Sequence, residues 1–148
     1  MRVGSHKIKS QEEIISQENI NVAQRAYNSF KSGDIESLLD LMSDDVTWQL
    51  PDIEGVPFAG KRAGREAVAR FFASVNESQE VLEFSPKEFV AQGDKVVALG
   101  HCHWRVRSTG REFASDFAHD FTVRDGRIVA FHEYLDTAVA AYQKAQTA

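Results

Sequence analysis

Two ionisable residues sit where alternation predicts only apolar side chains. In the run Glu112–Arg124, period-two spacing puts Phe113, Phe117, His119, Phe121 and Val123 on one strand face. In Arg127–Leu135 it puts Val129, Phe131, Glu133 and Leu135 together, with Ile128, Ala130, His132 and Tyr134 on the other side. His119 and Glu133 are therefore the polar members of two inward faces. An imidazole beside a carboxylate is a proton-handling pair. The carboxylate orients the ring and favours its charged form, and the ring takes or passes a proton near neutral pH. Between the two runs, Asp125-Gly126-Arg127 is hairpin chemistry. A hairpin pairing residue 124 with 128 sets 119 opposite 133 on one face. The same pair also fits a satisfied ion pair of the core, or a pocket mouth open to water.

Other clusters read less sharply. His101 and His103 share a strand face, and with His132, Asp116 and Asp120 they could be taken for a metal cluster. That face is the outer one, shared with Arg105 and Arg107, and cross-strand ion pairs or a dimer contact explain it. No metal is predicted. Cys102 points inward among Val96, Ala98 and Trp104 and reads as a structural thiol, since only His119 could lower its pKa. Trp48 and Trp104 also point inward, where ligand stacking and core packing are both open. Gly55 and Gly60 punctuate a loop and have no phosphate-binding pattern around them.

These residues need elements to hold them. From Ile14 to Ser32 apolar positions recur at helical spacing, and Gly33 stops the helix. Asp34 caps a second, short helix with Ile35, Leu38, Leu39 and Met42 on one stripe. Val46–Leu50 alternates as a strand ended by Pro51, and residues 51–63 read as a turn-rich connection. A third helix carries Ala67, Val68, Phe71, Phe72 and Val75. Four strand-like runs follow, Val81–Gln92, Lys95–Arg107, Glu112–Arg124 and Arg127–Leu135, and Thr137–Gln146 reads as a terminal helix. Helices first and an antiparallel meander second predict an α+β fold whose helices cover one face of a curved antiparallel β-sheet.

Composition sets the outer bounds. A chain of 148 residues with 43% hydrophobic and 26% charged residues is one globular domain, here residues 14–148, behind a polar tail at 1–13. A net charge of -5 without a basic run argues against nucleic acid and against an anionic membrane surface. No run approaches the ~18 apolar residues of a membrane span. A single cysteine excludes an internal disulfide and suits a reducing, cytoplasmic setting.

The stretches Gly33-Asp34-Ile35-Glu36, Met42-Ser43-Asp44-Asp45-Val46-Thr47-Trp48, Gly64-Arg65-Glu66-Ala67-Val68, Phe121–Ile128 and Tyr134-Leu135-Asp136 carry a resemblance. Over about residues 14–140 the chain resembles the superfamily of nuclear transport factor 2, ketosteroid isomerase, limonene epoxide hydrolase and the SnoaL-type polyketide cyclases. That resemblance implies a cone of three N-terminal helices on a strongly curved antiparallel β-sheet, enclosing an apolar pocket. It also implies a homodimer through the outer sheet face and a small apolar or aromatic molecule as ligand.

The functional residues carry over unevenly. Ketosteroid isomerases place a base, an Asp, just before a Pro, where this chain has Leu50 before Pro51; their oxyanion Tyr falls on Ala26, with Tyr27 turned about 100° away. Two of the three polar groups of limonene epoxide hydrolases fall on Cys102 and Gly100, and the third falls on Glu133. The SnoaL-type pattern of an inward acid or base with a His fits His119 with Glu133. The expected catalytic residues are thus His119, as base, and Glu133, as orienter or second acid/base. Tyr27, Trp48, Leu50, Cys102, Trp104, Phe117 and Phe131 are the expected ligand-binding walls. Proton abstraction beside a carbonyl, or water activation, would need no cofactor. A non-catalytic ligand-binding or dimerisation domain, and a purely structural partner, remain the other readings.

Overall fold

Helix α1 (Gln11–Lys31) opens earlier than Ile14 in the computed structural model, which describes residues 8–53 and 55–136. Ser10 caps it, its hydroxyl accepting the Glu13 N–H at 3.2 Å, and Glu12 and Glu13 complement the positive helix start. Residues 11–13 of the expected tail are therefore helical. Residues 1–7, and the expected helix at 137–146, lie outside the described residues. At the other end Gly33 takes φ +76°, and the Asp34 and Gly33 N–H groups bond back to Ser29 and Phe30 carbonyls at 2.9 and 3.1 Å. That is a Schellman stop, and it hands the chain directly to Asp34, which caps α2 (Ile35–Asp40) through the Ser37 N–H.

Met42, expected on the second helix, instead opens β1 (Met42–Gln49). The Ile128 N–H bonds the Leu41 carbonyl at 2.8 Å, so strand pairing begins as soon as α2 ends. Asp44 and Asp45 sit at exposed positions where the register of β1 shifts. The supposed loop to residue 63 contains β2 (Lys61–Ala63), a short antiparallel edge strand on Thr47–Gln49. Its Lys-Arg-Ala sequence has no apolar alternation to announce it. Helix α3 (Arg65–Ser78) buries Val68, Phe71, Phe72 and Val75 as the stripe predicts.

The meander follows as β3 (Gln79–Gln92), β4 (Lys95–Val106), β5 (Glu112–Arg124) and β6 (Arg127–Leu135). The six strands lie in the order β2-β1-β6-β5-β4-β3. The sheet is mixed, not antiparallel throughout: β1 runs parallel to β6. Parallel neighbours need a long crossover, and the whole segment from Leu50 to Gly126 supplies it. Alternation reports faces, not the direction of a partner strand.

The faces are as predicted. Val96, Ala98, Cys102 and Trp104 are buried on the helix side of β4, while His101 and His103 lie on the other side among charged partners. One register detail differs. Asp125 and Gly126, at φ 51° and 75°, make a two-residue turn pairing Arg124 with Arg127, not 124 with 128. A bulge between Thr122 and Val123 then restores the 119–133 pairing. Because of that bulge it is Ile128, not Val129, that is fully buried. Among the described residues no helix is long and apolar enough to cross a membrane.

Candidate active site

Tyr27 from α1, His119 from β5 and Glu133 from β6 form one hydrogen-bonded chain. The Tyr27 hydroxyl lies 2.6 Å from His119 Nδ1, and His119 Nε2 lies 2.7 Å from Glu133 Oε2. Burial, and then the Glu133 charge, push the Tyr27 pKa far up, so the phenol keeps its proton. Its O–H therefore donates to Nδ1. The imidazole proton sits on Nε2 and donates to Glu133 Oε2, which gives the phenol and both ring nitrogens a partner of the right kind. The chain is buried unevenly: side-chain exposure is 3% for His119 and 15% for Glu133.

Aromatic rings fix the imidazole. Phe117 stacks on it at 4.0 Å and 17°, and Phe131 meets it edge-on at 4.8 Å. Phe84 in turn stacks on Phe117. Gly100, paired with Phe117 across β4 and β5, makes that stack possible. A Cβ there would collide with the Ser85 carbonyl and the Phe117 ring, and would approach Pro86 Cα to 2.8 Å.

His119 and Glu133 line a cavity of about 100 Å³ between the helices and the sheet. Tyr27, Trp48, Leu50, Cys102, Trp104 and Phe131, six of the residues expected as ligand-binding walls, line it too. Phe117 does not; its ring supports His119 instead. The helix side contributes Phe30, Phe71, Phe72 and Val75, and the loop before β2 contributes Phe58. Sequence reasoning placed the α3 residues on an apolar stripe without telling pocket wall from core, because both demand the same side chains. Trp48 lies flat on Phe131 at 3.9 Å and 15°. The Cys102 thiol contacts the Ser115 carbonyl at 3.4 Å, and burial pushes its pKa up to about 11, so it is no thiolate nucleophile at neutral pH.

The outer face is a set of cross-strand ion pairs. His101 meets Asp116 at 2.9 Å, His103 meets Glu112 at 2.8 Å, and Lys95 meets Asp120 at 3.4 Å. Among the described residues no group of three or more His, Cys, Asp or Glu is placed to hold a metal ion.

Three helices on one face of a six-stranded sheet, with a cavity between them, match known proteins closely. Residues 23–131 match the SnoaL-like domain. The chain belongs to the SnoaL-like family. Its fold is the NTF2-like α+β cone, and it is similar to an NTF2-like protein from Burkholderia xenovorans LB400. The two are 33% identical with a TM-score of 0.76, over 86% of this chain and 95% of that one. An NTF2-like protein from Burkholderia pseudomallei K96243 is 26% identical, with a TM-score of 0.74 over 84% and 95% of the two chains. TerC, crystallised with polyporic acid, is 28% identical, with a TM-score of 0.69 over 84% and 96%. No functionally curated protein matches the chain. The Tyr27–His119–Glu133 chain draws on helix α1 and on the last two described strands, β5 and β6.

Proposed function

We propose that this SnoaL-like protein is a cofactor-independent acid–base catalyst that moves a proton next to the carbonyl group of a small aromatic substrate. The observation that carries this reading is the Tyr27–His119–Glu133 chain ending on an otherwise apolar cavity. Both ring nitrogens of His119 are already hydrogen-bonded, and the ring is almost fully buried. Glu133 is the more open end and lines the cavity. Glu133 therefore takes the proton, and His119 holds it in place through Nε2–H while Tyr27 fixes the tautomer.

The step balances without a redox partner. A C–H bond beside the carbonyl breaks, its proton passes to the Glu133 carboxylate, and the electron pair moves onto the carbonyl oxygen as an enolate. Return of the proton to the same or a conjugated carbon completes exchange or isomerisation. Aromatic walls favour a flat, apolar ligand, and the similarity to TerC, which was crystallised with polyporic acid, supports that class. We further infer a homodimer through the outer sheet face, supported by its aligned ion pairs and by exposed Leu99 and Tyr134 beside them.

The test is deuterium uptake at the benzylic carbons of 2-indanone in D2O, followed by proton NMR. Wild-type protein should accelerate uptake over buffer, and Glu133→Gln should remove about 10²–10⁴-fold of that acceleration. Tyr27→Phe should lose a smaller part. Saturable binding of 2-indanone with no acceleration by wild type would leave a ligand-binding domain instead.

A further inference from the structure

Trp48 Nε1 is buried and has no hydrogen-bond partner among the described residues. Native proteins seldom leave a buried donor unmet, so each exception calls for an explanation. Trp48 is 5% exposed, and it lines the cavity that holds Glu133. The rings packed on it, Phe131 at 3.9 Å, Phe72 at 5.6 Å and Phe71 at 6.1 Å, offer no lone pair. None of the described residues supplies the missing acceptor.

The register says where that acceptor would sit relative to the carboxylate. Trp48 is the Cα partner of Phe131 across the parallel β1–β6 pair. Glu133 lies two positions further along β6, on the same face. With strands about 4.8 Å apart and a rise of about 3.3 Å per residue, the Trp48 and Glu133 backbones are about 8 Å apart. The Phe131 ring is stacked against the indole itself. Trp48 and Glu133 thus both line one cavity whose other walls are mostly apolar.

We propose that the Trp48 indole N–H is the pocket's hydrogen-bond donor for a ligand carbonyl oxygen, and that it selects aryl ketones over hydrocarbons of the same shape. An oxygen held on Nε1–H keeps the ligand in the cavity that Glu133 also lines. If a proton leaves that carbon, the charge gathers on the oxygen that the indole already holds, where a fixed donor is most effective. The inference rests on the cavity being the ligand site, as proposed above, but not on proton transfer taking place.

The experiment compares acetophenone with ethylbenzene, which keeps the phenyl ring and the two-carbon chain and lacks the carbonyl oxygen. Trp48 and Trp104 each give an indole N–H signal in ¹⁵N-labelled protein, assigned with Trp48→Phe, or with Trp104→Phe if the first variant does not fold. Acetophenone should move the Trp48 signal downfield and saturate; ethylbenzene should not move it downfield. Trp48→Phe should weaken acetophenone about 5–10-fold more than it weakens ethylbenzene, the usual worth of one neutral hydrogen bond. Equal responses to the two ligands, or equal weakening of both in Trp48→Phe, would reduce Trp48 to a wall. A Trp48 signal indifferent to saturating acetophenone would mean that a trapped water meets the indole, and no saturable shift from either ligand would overturn the proposal outright. If acetophenone is discriminated but 2-indanone exchange is not accelerated, the donor stands and the proton-transfer reading falls.

Discussion

The Tyr27 hydroxyl decides which nitrogen of His119 carries the proton, and it does so only while it remains a phenol. Two buried acids in this site keep their protons beyond their ordinary range. Cys102 rises from 9.0 to about 11, and Tyr27 rises further above its ordinary 10.0, both mainly through burial. Between pH 9 and 11 the native state holds a thiol proton that the unfolded chain releases. Stability from this source is thus complete below pH 9 and is lost as pH climbs to about 11, with Tyr27 extending the loss above pH 10. The thiol alone converts to roughly 2–3 kcal/mol. Urea midpoints at pH 8 and pH 11 should fall steeply for wild type and less for Cys102→Ala and Tyr27→Phe. Equal declines in all three proteins would remove both residues as the cause. Sequence spacing named Tyr27 only as a pocket wall. Its partner lies 92 residues away along the chain, so no local pattern could reveal the bond. The one available signal was generic: a buried Tyr hydroxyl needs a partner.

At the scale of elements, strand faces were readable and strand neighbours were not. Period-two alternation placed Cys102, His119 and Phe131 inward because one face of β4, β5 and β6 is buried, and a slip of one residue would have exposed each of them. The pairing of β1 with β6, and the polar edge strand β2, follow from topology that leaves no mark on local composition. The bulge at the start of β6 was equally silent; it corrected a wrong turn length and so preserved the predicted pairing of His119 with Glu133. The crowding of Gly100 by the β3 backbone and the Phe117 ring lends itself to a direct trial. Gly100→Ala forces a methyl into the Ser85 carbonyl and the Phe117 ring. It should cost about 1–3 kcal/mol by overpacking, and it should lower the 2-indanone exchange rate more than that loss of folded protein explains, since Phe117 braces His119. A rate that tracks only the folded fraction would separate Phe117 from the site.

For the molecule as a whole, the two faces of the sheet do different work. The inner one encloses the cavity. The outer one carries ion pairs whose side chains are about a third or more exposed, as His103 and Glu112 are at 38% and 45%, so they add little to the stability of a lone chain. Covered by a second copy they would be shielded from water and salt. Light scattering at micromolar concentration should give twice the mass of one chain, and Leu99→Glu should shift it to the monomer. A monomeric wild type would end the dimer proposal.

The order in which the chain is made has a consequence for this architecture. Strand β6 is the last described element to be synthesised, yet it supplies Glu133 and the parallel partner of β1, which was made some eighty residues earlier. On the ribosome, β1 waits with an open edge, and the imidazole waits without its carboxylate, until those nine residues emerge. A chain stopped before β6 lacks both the carboxylate and the parallel partner of β1. On the proton-transfer reading proposed above, the last described strand is the one that completes the site.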